Sequence, residues 1–108
     1  MYKEIDKILL SWLKKYGLHV FTKYRDDEVR TFYVVDDIGD TYQVMISPLD
    51  TETKKIHIHF GIRKKKKAEY KGETIETSLS GFENALEETY RRITIWIEEF
   101  GHTRTPVL

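Results

Sequence analysis

Two histidines one residue apart, His57 and His59, stand in the stretch Lys55-Ile-His-Ile-His-Phe-Gly-Ile-Arg63. Neutral imidazole is a common metal ligand and proton carrier near physiological pH. Residues i and i+2 of a strand share a face, so the two rings stand side by side. A zinc site takes three or four ligands. His19 is the candidate third ligand if its segment pairs nearby, and an Asp or Glu from a turn is the candidate fourth. Two histidines on one strand face also arise with no metal between them, because a site needs ligands converging from several elements. The sequence therefore assigns no metal and no other cofactor; His57, His59 and His19 are the candidates it offers.

The same stretch runs directly into Lys64-Lys-Lys-Lys67. Arg63, Lys64, Lys65, Lys66, Lys67 and Lys71 supply six cations within nine residues, with Tyr70 among them. A basic hairpin can follow a phosphate backbone, and a tyrosine ring can stack on a base. With 18 basic and 18 acidic residues the formal net charge is zero, so any attraction to nucleic acid must come from a local patch. The competing explanation is a solvated strand end whose charges keep the sheet edge from pairing with other chains. Arg91 and Arg92 extend the patch only if their helix brings them to the same side.

Other chemistry has less support. Asp26-Asp27-Glu28 and Asp36-Asp37 with Asp40 pair carboxylates that could act as acid and base or hold a divalent cation. Asp is equally a preferred turn residue, and no EF-hand spacing is present. The glycines are isolated, so no phosphate loop or dinucleotide fingerprint exists. Ser11, Ser47, Ser78 and Ser80 have no nucleophile motif around them. The chain has no cysteine, which excludes disulfides, thiolate metal sites and thiol catalysis. These residues favour a nonenzymatic binding module over an enzyme.

The elements that must position these residues follow from hydrophobic periodicity. Tyr2, Ile5, Leu9, Trp12, Leu13 and Tyr16 form one stripe at helical spacing over residues 2–16, with Lys3, Asp6, Lys7 and Lys14 opposite. Gly17 supplies a left-handed residue to end that helix. Strands are predicted at Leu18 to Arg25, Val29 to Val35, Thr41 to Ser47 (stopped by Pro48) and Lys55 to Arg63. Ala68 to Thr77 is a poorer fifth candidate, short of apolar residues and interrupted by Gly72. The connections are too short for parallel crossovers, so the strands form an antiparallel meander. A second helix opens at the capping-box pattern Ser80-x-x-Glu83. It carries Phe82, Leu86, Tyr90, Ile93, Ile97 and Phe100 on one side, with Ala85 and Trp96 beside them, and ends at Gly101. Trp12 and Trp96 read as core residues packed on the sheet.

The expected fold is α+β in two layers: N-terminal helix, four- or five-stranded antiparallel meander, C-terminal helix, with both helices on one sheet face. At 108 residues and 40% apolar content, one domain over 1–101 is expected, followed by a loosely held tail over 102–108. The second strand complicates the two-layer picture. Phe32 and Val34 point one way, Tyr33 and Val35 the other, and a strand apolar on both faces is covered on both. Met45, and in one register Phe21, add to the outer face. A homodimer through Phe32, Val34 and Met45 is the expected cover, and a sheet curling over its own residues, or exposed aromatics simply tolerated at the surface, is the alternative.

Composition adds context. Asn84 and Gln43 are the only amides, and Lys and Glu carry most of the charge, a profile expected of a hyperthermophile protein. No apolar run approaches the ~20 residues of a membrane span, and the N-terminus does not read as a signal peptide. A cytoplasmic location with no membrane partner is expected. Small helix–meander–helix domains occur among archaeal, viral and toxin-neutralising proteins, an analogy that carries no function. The functional expectation is a binding module that contacts nucleic acid through the basic hairpin around Lys64–Lys71. The alternative is a protein-binding adaptor or inhibitor that uses a sheet edge, the acidic turns or the outer sheet face.

Overall fold

The computed structural model describes residues 3–18, 30–35, 41–63 and 71–104. Their order is α1 (Lys3–Tyr16), β1 (Arg30–Val35), β2 (Thr41–Ile46), β3 (Ile56–Arg63), β4 (Lys71–Thr77) and α2 (Phe82–Arg104). The four strands pair in sequence order, each antiparallel to the next. This is the predicted α+β meander between two helices. The predicted strand at Leu18 to Arg25 lies, beyond Leu18, outside the described residues.

Helix α1 forms for local reasons. Glu4 and Asp6 sit in its first turn and Lys14 and Lys15 in its last, the arrangement the helix dipole favours. Gly17, at φ 68°, then takes the left-handed conformation. Its N–H donates to the Lys14 carbonyl and the Leu18 N–H to the Leu13 carbonyl, the paired bonds of a Schellman end. The inward stripe is Ile5, Leu9, Trp12 and Leu13, all buried.

The sheet presents one face to both helices. Phe32 pairs with Val44 and Val44 with Phe60, so the three lie in one row across β1, β2 and β3. Phe32 meets Trp12 of α1, with ring centroids 5.8 Å apart, and Phe60 meets Trp96 of α2 at 5.5 Å. Because Phe32 and Phe60 share a face, so do the helices. Ile46, Ile56, Ile58 and Tyr42 complete the sheet side of the core, and Phe82, Leu86 and Ile93 the α2 side. A side chain of this size contributes about 1.5–3 kcal/mol when fully buried, which makes this layer the main source of stability.

This register corrects the expected dimer face. Phe32 and Val34 are buried against the helices, 1% and 5% exposed. They are therefore not available to an outer interface. The outer face of β1 carries Thr31, Tyr33 and the exposed Val35, and only Met45 of the three predicted interface residues lies on that side, opposite Thr31 and His59. The run Phe-Tyr-Val-Val is apolar on both faces, so its phase was set by pairing with β2, not by its own pattern.

Two further elements differ from expectation. The poorly predicted last strand is β4; its Gly72 sits opposite Gly61 of β3, and its Ile75 opposite Ile58. The second helix begins at Phe82, and Ser80 does not cap it as a capping box requires. The Gly81 carbonyl accepts from the Ala85 N–H, the Gly81 N–H donates to the Ser78 hydroxyl at 3.3 Å, and the Ser80 hydroxyl lies 3.1 Å from that of Ser78. Gly81 thus opens the helix, and Ser78 steadies its entry. Helical backbone continues past Gly101 to Arg104, so residues 102–104 of the expected tail extend α2, while 105–108 lie outside the described residues. No helix among the described residues is long and apolar enough to cross a membrane.

Candidate nucleic-acid interface

The β3–β4 hairpin positions the candidate residues. Its register runs from Ile56 opposite Thr77 to Ile62 opposite Lys71. Arg63 occupies the β3 position opposite Thr41, and Lys71 begins β4. Lys64, Lys65, Lys66, Lys67 and Tyr70 belong to the segment joining the strands and lie outside the described residues. So do His19 and the acidic turns at 26–28 and 36–40.

The outer sheet face, opposite the helices, adjoins this hairpin. His59 stands in a row with Met45 on one side and Thr74 on the other; His57 pairs with Glu76 on β4. Gln43, Gly61 and Gly72 make the next row, so two of its positions have no side chain. Each histidine has a partner on β4. His59 Nδ1 lies 2.7 Å from the Thr74 hydroxyl, and His57 Nε2 lies 3.4 Å from a Glu76 carboxylate oxygen. The Ser47 N–H donates to the His57 carbonyl at 2.9 Å, which extends the β2–β3 ladder one residue past β2, and the His57 N–H donates to the Ser47 hydroxyl at 2.9 Å.

As a metal site the pair is poorly disposed. The two imidazoles are nearly parallel, 13° between planes, with centroids 6.3 Å apart, so they stack instead of converging on a point. Among the described residues no group of three or more His, Asp or Glu side chains could hold a metal ion. The parallel rings, the Thr74 hydroxyl and the Glu76 carboxylate instead present aromatic faces beside hydrogen-bonding groups.

Arg91 and Arg92 do not add free charge to the hairpin. Arg91 is paired with Glu88, and Arg92 donates to Glu88 at 3.0 Å and to Glu73 of β4 at 3.4 Å. Glu88 takes hydrogen bonds first from Arg91 and then from Arg92, which lower its carboxyl to about 2. This network fastens α2 to the edge strand on the helix side of the sheet.

Sequence reasoning missed three polar groups. Glu87 of α2 accepts from Trp12 Nε1 at 3.1 Å, from Lys15 Nζ at 3.2 Å and from the Tyr16 hydroxyl at 2.6 Å. Those bonds, led by that from Tyr16, hold the Glu87 carboxyl below its usual range and push the Tyr16 phenol up. The rings of Trp12, Tyr16 and Tyr90 pack around the join, with Tyr16 and Tyr90 centroids 4.5 Å apart. Asp6 takes two hydrogen bonds from Arg30, Nε to Oδ1 at 3.0 Å and Nη2 to Oδ2 at 3.2 Å. Both groups join one element to another and leave the hairpin untouched. The third is Thr74 with Glu76, which sit on the candidate face; antiparallel pairing of β3 with the segment after the lysine run is the signal that would have matched them with His59 and His57.

Comparison with family models, curated proteins and solved structures finds no match to this chain.

Proposed function

We propose that this chain is a small nonenzymatic binding module that contacts nucleic acid through the basic segment Arg63–Lys71, acts in the cytoplasm and requires no cofactor. The observation that carries the reading is the β3–β4 register. It brings the two ends of a six-cation segment close together at one end of a sheet whose outer face is covered by neither helix. Cations gathered at one end attract phosphates even when the whole chain is neutral, because the Debye length is only about 8 Å at physiological salt. The Lys/Glu-rich, amide-poor composition supports a thermophilic source.

The test is replacement of Lys64 to Lys67 by serine. Exposed charges contribute little to stability, so the variant keeps its fold. Binding to a short single-stranded oligonucleotide should fall by roughly tenfold or more at low salt, and the salt slope should shrink by about 0.7 per lost phosphate contact. Tyr70→Ala should weaken single-strand binding by ~1–3 kcal/mol through lost stacking. Equal binding by wild type and the serine variant removes the proposal.

One observation favours a protein partner instead. Val35 is 61% exposed on the outer face, with half-buried Tyr33 and Met45 on the same side. A second copy of this chain or another protein docked there would bind with little salt dependence, and Val35→Asp or Met45→Asp would abolish it. Sedimentation at micromolar concentration, at low and high salt, separates this reading from the first.

A further inference from the structure

We infer that His57 and His59 form a slot that takes one unpaired base of a single-stranded nucleic acid. The inference rests on the nucleic-acid reading and names the part of the ligand that the sheet face recognises. Successive stacked bases along one strand are spaced ~3.4 Å apart. A flat ring held between two others therefore needs about 6.8 Å between the outer pair. The imidazoles of His57 and His59 are parallel within 13°, with centroids 6.3 Å apart. The centroid distance is an upper bound on the gap between the rings, so rotation of the two side chains must widen it by at least about half an ångström to admit a base.

The slot has a floor, an edge and an entrance. Its floor is the β3 backbone at Ile58, whose side chain is fully buried on the opposite face. Along its β4 edge stand the Thr74 hydroxyl and the Glu76 carboxylate, the partners of the two imidazoles. Both accept hydrogen bonds from the amino groups at a base edge. On the β2 side is Met45, a soft apolar surface for a sugar or base. Toward the hairpin the next β3 position on this face is Gly61, opposite Gly72, and Arg63 follows. The same two imidazoles would be unremarkable with a metal between them; parallel and edge-bonded, they offer faces, and faces bind bases.

The experiment uses the full chain and a short single-stranded oligonucleotide carrying one 2-aminopurine, whose fluorescence is quenched when it stacks. A duplex of the same sequence, whose bases are already stacked and paired, is the comparison. Wild type should bind the single strand, quench the probe and prefer single strand to duplex. The double variant His57→Ala/His59→Ala should lose about 5- to 150-fold in single-strand affinity, the range for one stacked base, with the quench and the strand preference. His57→Phe/His59→Phe should restore both, because it keeps the rings and discards the nitrogens. Replacing Lys64 to Lys67 by serine should weaken single strand and duplex alike. Wild-type binding with affinity and quench unchanged in the alanine variant overturns the slot and leaves the basic segment as the binding element. Equal losses for single strand and duplex in that variant, or no restoration by phenylalanine, also overturn it. No binding of the oligonucleotide by wild type overturns both the slot and the nucleic-acid reading.

Discussion

The contact between α1 and β1 through Asp6 and Arg30 gives a sharp energetic test. Arg30 points into the helix layer from a strand position opposite Ile46 and is 8% exposed. Its guanidinium donates from Nε and Nη2 to the two oxygens of Asp6, a fork-to-fork geometry that lysine cannot reproduce. The Asp6 side chain keeps a third of its exposure, so water partly screens the pair. Asp6→Ala removes the carboxylate and leaves the buried cation with less compensation. Breaking a fully buried pair costs ~3–5 kcal/mol, and the exposure of Asp6 places this one near about 2–3 kcal/mol. Asp6→Asn keeps one acceptor and should cost about half as much, since a hydrogen bond to a charged group contributes ~1.5–3 kcal/mol. Arg30→Met removes the charge while filling the site, and in its background Asp6→Ala should be nearly neutral. A double-mutant cycle in urea, read by circular dichroism, then gives a coupling of about 2 kcal/mol. The Asp6→Ala melting temperature should fall by roughly 8–20 °C for a domain of this length. A loss below ~0.5 kcal/mol for Asp6→Ala, or additive single effects, would refute the claim that this pair ties α1 to the sheet.

Truncating Phe60, Ile58 or Ile93 to Ala should each cost about 2–5 kcal/mol by urea melts, because all three are fully buried between sheet and helices. Losses below ~1 kcal/mol for all three would mean the core is assigned wrongly. Acid should destabilise the fold through Glu88, held at about 2 by Arg91 and Arg92, and through Glu87 and Asp50, lowered chiefly by Tyr16 and by the Thr53 and Glu52 N–H groups. Folded values below the unfolded range of ~4 mean that this stability is complete above about pH 5 and lost as pH falls toward 2. Urea midpoints between pH 5 and 2.5 should decline in wild type and less steeply in Glu88→Gln; parallel declines would exclude Glu88 as a cause. At the alkaline end the raised Tyr16 and Lys15 act in the opposite sense, contributing below about pH 10 and losing that contribution above it.

How much was legible in the sequence depended on whether a signal was local. The α1 stripe and its Gly17 end, and the alternation from Ile56 through Phe60, are periodic within one element and were readable without neighbours. β4 was harder. Its described inward positions are Glu73, Ile75 and Thr77, of which only Ile75 is a large apolar residue, so it folds by pairing with β3 and not by its own pattern. Phe32 to Val35 failed for the opposite reason, having apolar residues on both faces. The capping box failed because two serines and a glycine compete within four residues, and the Ser78 bond decides among them. Glu87 with Trp12, Lys15 and Tyr16 joins residues more than seventy positions apart, and no spacing rule reaches that far.

The candidate site divides along the same line. The histidine pair was visible as spacing, and that spacing alone suggests ligands. Orientation changes the chemistry. Convergent imidazoles aim lone pairs at a common point, whereas parallel imidazoles aim them sideways and leave their faces open. Here the ring-nitrogen edges are met by Thr74 and Glu76 from β4, the strand paired with β3. The same strand pairing that directs the rings also brings together the two ends of the proposed basic segment. Its two predicted contributions differ in kind: charge weakens with salt and ignores strandedness, while ring stacking resists salt and requires an unpaired base. Measuring single-strand and duplex affinities against salt, in the serine and alanine variants separately, resolves one from the other within a single fold.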